Sequence, residues 1–79
     1  MKREQLEQEL GKRLRKHRER LGISQSYLAD ILNRDQTSVS KMEQGVRQVG
    51  AVELLLWSRA LNLDHTELAE LISIGPYAK

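Results

Sequence analysis

The chain has 79 residues, of which 30% are charged, and it contains no cysteine. This length predicts a single small domain, residues 1–79. The lack of cysteine excludes disulfides and cysteine-based zinc sites and favours a reducing, cytoplasmic location. No apolar run approaches the roughly 20 residues of a membrane span, and the charged start lacks the apolar stretch of a signal peptide.

The charge is unevenly distributed along the chain. Residues 1–20 hold eight Lys or Arg against four Asp or Glu, whereas residues 21–79 hold five against seven. A basic first segment is typical of proteins that bind a polyanion, but it is also typical of a solvated helix face that carries mixed charge.

Apolar residues recur at helical spacing and no alternating β pattern is present, so the sequence predicts an all-α fold of five helices. The first helix is predicted over about residues 3–21, an extended length for such a small chain. Its apolar stripe comprises Leu6, Leu10, Leu14, His17 and Leu21. Gly22 suits the left-handed position that ends a helix.

Two short helices separated by a three-residue turn are predicted next, over residues 25–32 and 36–44. Ser24 and Asp35 are residue types that cap helix N-termini. Asn33 tolerates the left-handed conformation that a tight turn requires. The sequence therefore predicts a helix-turn-helix unit.

The fourth and fifth helices are predicted from about residue 51 to 61 and from about residue 65 to 73. Asn62 closes the fourth helix in this interpretation. Asp64 and Glu67 form a capping pattern that opens the fifth helix.

The helix predicted over residues 36–44 has an inner and an outer side, since successive residues are about 100° apart. Val39, Met42 and Glu43 fall on the inner side. The outer side and its edges carry amide, hydroxyl and amine groups, from Gln36, Thr37, Ser38, Ser40, Lys41 and Gln44. Such groups read base edges and bind phosphates, although a polar outer face is also common on ordinary solvated helices.

Taken in order, these features resemble the repressor/Cro-like helix-turn-helix family. The resemblance covers about residues 14–68. Its marks are Arg18, Gly22-Ile23-Ser24-Gln25, Leu28-Ala29, Asn33, Val39, Met42-Glu43-Gln44-Gly45 and Ala60-Leu61-Asn62-Leu63. The resemblance implies a compact five-helix, lambda-repressor-like domain with the helix-turn-helix at the second and third helices, and double-stranded DNA as its partner.

The resemblance also implies roles for individual residues. Residues that stand at the family's base-contacting positions are Gln36, Thr37, Ser38, Ser40 and Lys41. Gln25 matches a residue that binds phosphate and braces the first residue of the reading helix. Arg18 and Glu43 match a largely buried ion pair that sets the angle of that helix.

Further phosphate contacts are predicted outside the reading helix. Arg47 and Gln48 follow it, where the family's backbone-contacting loop lies. The family's turn usually carries glycine and then an apolar residue, where this chain has Asn33 and Arg34. An arginine is not easily buried, so a phosphate contact is the interpretation for Arg34.

The last two helices carry more apolar residues than an inward stripe requires. In the fourth helix Leu54, Trp57, Ser58 and Leu61 face inward, and Leu56 lies about 200° from Leu54. The predicted partner surface comprises Leu56, Leu68, Leu71, Ile72 and Ile74. A homodimer built on this surface would read two half-sites roughly 34 Å apart. The alternative is that the short tail, residues 74–79, folds back over it.

The leading functional prediction is a sequence-specific transcriptional regulator, a homodimeric repressor or autoregulator that reads an operator through the major groove. One alternative is an antitoxin that binds its own promoter and has a toxin as protein partner. Another is a protein-interaction module that has lost DNA binding. The sequence has no metal-ligand cluster or catalytic pairing, so no enzyme activity, metal or cofactor is expected.

Overall fold

Five α-helices make up most of residues 2–74, the part of the chain that the computed structural model describes. They are α1 (Arg3–Arg20), α2 (Gln25–Leu32), α3 (Gln36–Gln44), α4 (Ala51–Ala60) and α5 (His65–Ile72). No strand occurs within this part, and the predicted all-α fold class is confirmed. None of the helices described has both the length and the apolar character needed to cross a membrane. Of the predicted tail, residues 75–79 lie outside the described residues.

The helix-turn-helix unit is delimited by the predicted capping residues. The Ser24 side chain accepts a hydrogen bond from the Tyr27 N–H at 3.0 Å, and the Asp35 side chain accepts one from the Ser38 N–H at 2.7 Å. Asn33 adopts a left-handed conformation, with φ of 56°. These local interactions satisfy backbone donors that the helix ends would otherwise leave unpaired.

The other helix ends follow the same local rules. Gly22, Gly45 and Asn62 have φ values of 71°, 78° and 54°, and each lies at the end of a helix. Asp64 and Glu67 form the predicted capping box, in which each side chain accepts a hydrogen bond from the other's backbone N–H. The predicted boundaries are therefore confirmed to within about a residue.

One apolar core lies between the five helices. Its buried members are Leu14, Leu28, Ala29, Leu32, Val39, Met42, Trp57, Leu61 and Leu71. The Trp57 indole N–H donates to the Met42 sulfur at 3.4 Å, which joins α4 to the inner side of α3. The prediction that Leu71 belongs to a partner surface is corrected here, since its exposure is 1%. Leu68 also packs against this core and is only partly exposed.

Helix α1 crosses the C-terminal end of α3 in close backbone contact. A Cβ atom at Gly11 would lie 2.5 Å from the carbonyl oxygens of both Met42 and Glu43. A Cβ atom at Gly45 would lie 2.5 Å from the Cα atom of Gln8. Real Cβ atoms do not come this close to other heavy atoms, so only glycine permits this crossing at Gly11 and Gly45. The crossing therefore supports α3 on the side that faces the protein interior.

Candidate nucleic-acid interface

Helix α3 begins at a strong N-terminal cap. The Ser38 N–H hydrogen bond holds the pKa of the Asp35 carboxyl below its usual value, so the carboxyl is ionised at neutral pH. The negative charge lies at the positive end of the helix dipole. The cap is therefore fully formed at neutral pH and weakens only as acidification protonates Asp35.

The two sides of α3 differ completely in environment. The buried residues of the helix are Ser38, Val39, Met42 and Glu43. The residues that line the open, shallow depression on the other side are Gln36, Thr37, Ser40, Lys41 and Gln44, together with Gln25 at the start of α2. This outward side carries amides, hydroxyls and one amine, the groups that hydrogen-bond to base edges and phosphates.

Ser38 does not belong to the outward side, and its predicted base contact is corrected. Its exposure is 7%, and its hydroxyl accepts a hydrogen bond from the Arg47 guanidinium. Ser38 lies about 40° from Met42 around the helix, on the side that packs inward. Its side chain therefore ties the loop after α3 to the first turn of α3.

A chain of hydrogen bonds connects the interior to the first residue of α3. The Arg18 Nε donates to Glu43 Oε2 at 2.6 Å, and the Gln25 amide donates to Glu43 Oε1 at 2.9 Å. The Gln36 amide in turn donates to Gln25 Oε1 at 3.4 Å. Through these contacts, the Arg18 guanidinium of α1 helps to orient the outward-facing side chain of Gln36.

The Arg18–Glu43 pair is the buried end of that chain. Its side chains are 9% and 2% exposed, and a second Arg18 nitrogen donates to the Ile23 carbonyl oxygen at 2.6 Å. The hydrogen bond to Glu43 raises the pKa of Arg18. Both charges are satisfied by hydrogen bonds, as buried ion pairs require. The pair therefore locks the orientation of α3 relative to α1.

Gln44 is a member of the outward side that the predicted set of contacts omitted. Its amide donates to the Ser40 hydroxyl at 2.9 Å, one helical turn earlier. The helical spacing of residues 36–44 already places both residues outward. Helical spacing thus placed Gln44 on the outer side, but the family resemblance assigned it no contact.

The predicted phosphate contacts outside α3 occupy different environments. Gln48 is exposed, and Gln25 is half-buried and hydrogen-bonded to Gln36 and Glu43 of α3. Arg47 is exposed, and one of its guanidinium nitrogens donates a hydrogen bond to the Ser38 hydroxyl. Arg34 forms an ion pair with Glu53 of α4. Arg47 and Gln48 thus lie in the exposed loop after α3, whereas Arg34 is engaged within the protein.

Most of the basic residues of α1 are engaged within the fold. Arg18 pairs with Glu43, Lys12 with Glu9, Arg15 with Glu19 and Arg20 with Glu67. The Arg13 guanidinium donates to the Glu70 and Ser73 carbonyl oxygens at the end of α5. The positive charge of residues 1–20 therefore serves largely to bind α1 to itself and to its neighbours.

Exposed apolar residues also lie on α4 and on α5. Val52, Leu55 and Leu56 are exposed, and their spacing places them on one outward face of α4;. Ile72 of α5 is exposed, and Ile74 is half-buried. Val52 and Leu55 were absent from the predicted partner surface, although helical spacing groups them with Leu56.

Comparison with known proteins identifies the family. A family model described as a helix-turn-helix domain matches residues 9–71, most of the chain. The chain belongs to the helix-turn-helix family. This match extends beyond both ends of the resemblance expected from the sequence, residues 14–68.

A solved structure agrees with the assignment to the helix-turn-helix family. The restriction-modification controller protein C.AhdI from Aeromonas hydrophila is 36% identical in sequence, and the TM-score is 0.71. The similarity covers 77% of this chain and 92% of C.AhdI. No curated protein matches. Family and fold together confirm the repressor/Cro-like resemblance and support a DNA-binding regulator.

Proposed function

We propose that this helix-turn-helix regulator binds an operator as a homodimer, with the outward side of α3 from each copy in the major groove. The observation that supports this proposal is the difference between the inner and outer sides of α3. Its inner residues belong to the core, and its outer residues present hydrogen-bonding groups to solvent. A major groove roughly 12 Å wide accommodates a helix held in this way.

Base recognition is assigned to Gln36, Thr37, Ser40, Lys41 and Gln44. Glutamine forms two hydrogen bonds with adenine, the threonine methyl packs on the thymine methyl, and lysine donates to guanine. The contact from Gln36 to Gln25 limits the rotamers that Gln36 can adopt. A side chain held in place before binding loses less entropy on contact with a base.

Phosphate contacts are assigned to Gln25, which bonds to Gln36, and to Arg47 and Gln48 of the exposed loop after α3. Residues 24–49 carry equal numbers of basic and acidic side chains, but the buried Glu43 is neutralised by Arg18. Lys41 and Arg47 are exposed next to the proposed groove contacts. The N-termini of α2 and α3 add backbone N–H groups and positive dipole ends.

The proposed homodimer uses the exposed apolar face of α4 formed by Val52, Leu55 and Leu56, with Ile72 of α5 as a further exposed apolar residue. An exposed apolar patch on a small protein commonly marks a partner surface, and a two-fold dimer presents the same patch from both copies. With two copies, two half-sites about one helical turn apart can be bound together. The likeness to a controller protein supports regulation by occupancy of such a site.

Selection of bound duplexes from random DNA tests the proposed reading helix. Wild-type protein is expected to enrich a two-fold sequence. Gln36→Ala and Thr37→Ala are each expected to weaken binding to that sequence by about tenfold, because one good base contact contributes roughly 1–3 kcal/mol. Thr66→Ala, an exposed substitution on α5, serves as the control and is expected to bind as wild type does.

The same assay separates DNA binding from a protein-interaction role. The logarithm of the binding constant should fall linearly with the logarithm of salt concentration, because phosphate contacts release counterions. Protein that binds no duplex at low ionic strength would contradict the proposal. Unchanged affinity and sequence preference in both α3 variants would contradict the assignment of α3 as the reading helix.

Sedimentation equilibrium tests the proposed dimer. Leu55→Glu is expected to raise the dimer dissociation constant at least about tenfold, because a charge would be buried at the interface without a partner. Ile31→Glu is a matched control, since Ile31 on α2 is 48% exposed and Leu55 is 51% exposed. The dimer would be refuted by wild-type protein that remains monomeric at high concentration, or by equal effects of the two substitutions.

A further inference from the structure

The ion pair between Arg34 and Glu53 connects the turn of the helix-turn-helix to α4. The Arg34 guanidinium donates to Glu53 Oε1, and the Arg34 backbone N–H donates to the Ala29 carbonyl oxygen at 2.9 Å. The main chain of Arg34 is thus bound to the end of α2, while its side chain holds the first turn of α4.

Glu53 is the more buried partner of this pair. Its side chain is 14% exposed, whereas that of Arg34 is 42% exposed. The Glu53 Oε2 atom is buried and accepts no hydrogen bond from residues 2–74. A carboxylate in such a place is unfavourable unless a cation lies beside it. Arg34 supplies that cation.

This arrangement argues against a DNA contact by Arg34. If the guanidinium moved to a phosphate, Glu53 would remain largely buried without its cation. An exposed ion pair with a phosphate is weakened by water and salt, so it compensates poorly for that loss. The charged residue in the turn, where the family has an apolar one, is therefore explained by Glu53 rather than by DNA.

The Arg34–Glu53 pair also links the two surfaces that the proposed function uses, the DNA-reading side of α3 and the apolar dimer face of α4. The turn that contains Arg34 leads directly into α3, and α4 carries Val52, Leu55 and Leu56 on its outward side. The proposed two-fold dimer has its interface on α4. The orientation of α4 relative to α3 therefore sets the separation of the two reading helices in that dimer. One base pair of added spacing changes that separation by roughly 3.4 Å and also rotates one half-site about the DNA axis.

We propose that Arg34 and Glu53 are positioning residues that set the half-site spacing this regulator accepts. Neither residue contacts DNA in this proposal, which rests on the proposed homodimer at an operator. Loss of the pair would loosen α4 against the turn. The dimer would then accept spacings that the wild type rejects, whereas each copy would still read its half-site.

The test uses a duplex library in which two copies of the selected half-site are separated by different numbers of base pairs. The variants are Arg34→Gln, Glu53→Gln and the charge exchange that combines Arg34→Glu with Glu53→Arg. Glu53→Gln preserves side-chain shape, so it tests the pair even if Arg34→Gln lowers stability. Arg15→Gln removes one partner of an exposed pair within α1 and is the matched control.

Both single variants are expected to lower the preference for the best spacing over the next best by about threefold or more. The charge exchange should restore part of that preference, and Arg15→Gln should leave it unchanged. Affinity for an isolated half-site, and its dependence on salt, should be the same in all variants. A role in stability alone would not alter spacing preference in folded protein.

Two results would overturn the inference while leaving the proposed function intact. One is a sharp wild-type spacing preference that all three variants retain. The other is a loss of half-site affinity in Arg34→Gln but not in Glu53→Gln, with a salt slope smaller by about 0.9, the signature of one lost phosphate contact. Wild-type protein that selects no spaced pair of half-sites would contradict the proposed function and this inference together.

Discussion

Replacing Glu43 with Gln is expected to destabilise the fold by about 3–5 kcal/mol. The substitution leaves the Arg18 guanidinium charged in a site where its side chain is only 9% exposed. It also weakens two hydrogen bonds between the side chains and the one that Gln25 donates to Glu43. A domain of this size is stable by only about 4–12 kcal/mol, so the loss is a large part of the total.

Urea unfolding followed by Trp57 fluorescence measures this effect. Trp57 is the only tryptophan in the chain, and it is fully buried. The control is Glu19→Gln, which removes one partner of the exposed Arg15–Glu19 pair and should cost no more than about 0.5 kcal/mol;. Similar losses in Glu43→Gln and Glu19→Gln would show that burial of the Arg18–Glu43 pair has no energetic consequence.

A double variant separates stability from orientation. Arg18→Met combined with Glu43→Leu removes both charges, so it should recover much of the stability lost in Glu43→Gln. It also removes the acceptor that holds the Gln25 amide, and with it the brace on Gln36. The folded form of this double variant is therefore expected to discriminate less well between the selected sequence and random DNA, because Gln36 is no longer held in place.

Replacing Gly11 with Ala is expected to destabilise the fold by about 3 kcal/mol. The new Cβ atom would lie 2.5 Å from the carbonyl oxygens of Met42 and Glu43, which are backbone atoms that cannot move without shifting α3. Overpacking of this kind typically costs about 1–3 kcal/mol and sometimes more. Alanine favours a helix interior over glycine by at most about 1 kcal/mol, so the clash dominates.

The matched control for Gly11→Ala is Gly50→Ala. Gly50 has a φ of −76°, which alanine adopts freely, and within residues 2–74 no atom beyond its two chain neighbours lies within 4 Å of the position of its Cβ. Gly50 is the N-cap of α4, where alanine is less favourable than glycine, so the variant should lose no more than about 1 kcal/mol of stability in urea;. If Gly11→Ala unfolds at the same urea concentration as the wild type, the close crossing of α1 over α3 has been misassigned.

Sequence-based prediction succeeded where the deciding interaction is local. Ser24 and Asp35 bind backbone groups only three residues away, and Asn33 is a residue type that tolerates the left-handed conformation it adopts;. The periodicity of α3 placed Val39 and Met42 inward because both positions depend only on the helical repeat. Family resemblance then supplied the contact between Arg18 and Glu43, which are 25 positions apart.

The predictions that failed depend on which elements meet in space. Helical spacing leaves Ser38 near the boundary between the two sides of α3, and only the folded structure shows that its side chain is buried and bonded to Arg47. Leu71 is on an apolar helix face in either case, but packing against the other helices assigns it to the core. Two further contacts between elements were not predicted at all, since nothing near Arg34 in sequence indicates Glu53 and nothing near Gly11 indicates the α3 carbonyls.

The division of α3 has an evolutionary consequence. Val39 and Met42 contribute to folding, whereas the side chains of Thr37, Lys41 and Gln44 are exposed and contribute little to the core. These exposed positions can mutate with little penalty in stability, because surface substitutions usually change it by less than about 0.5 kcal/mol. Under the proposed function, gene duplicates would therefore diverge toward new target genes by altering a few codons, while the ancestral scaffold persists.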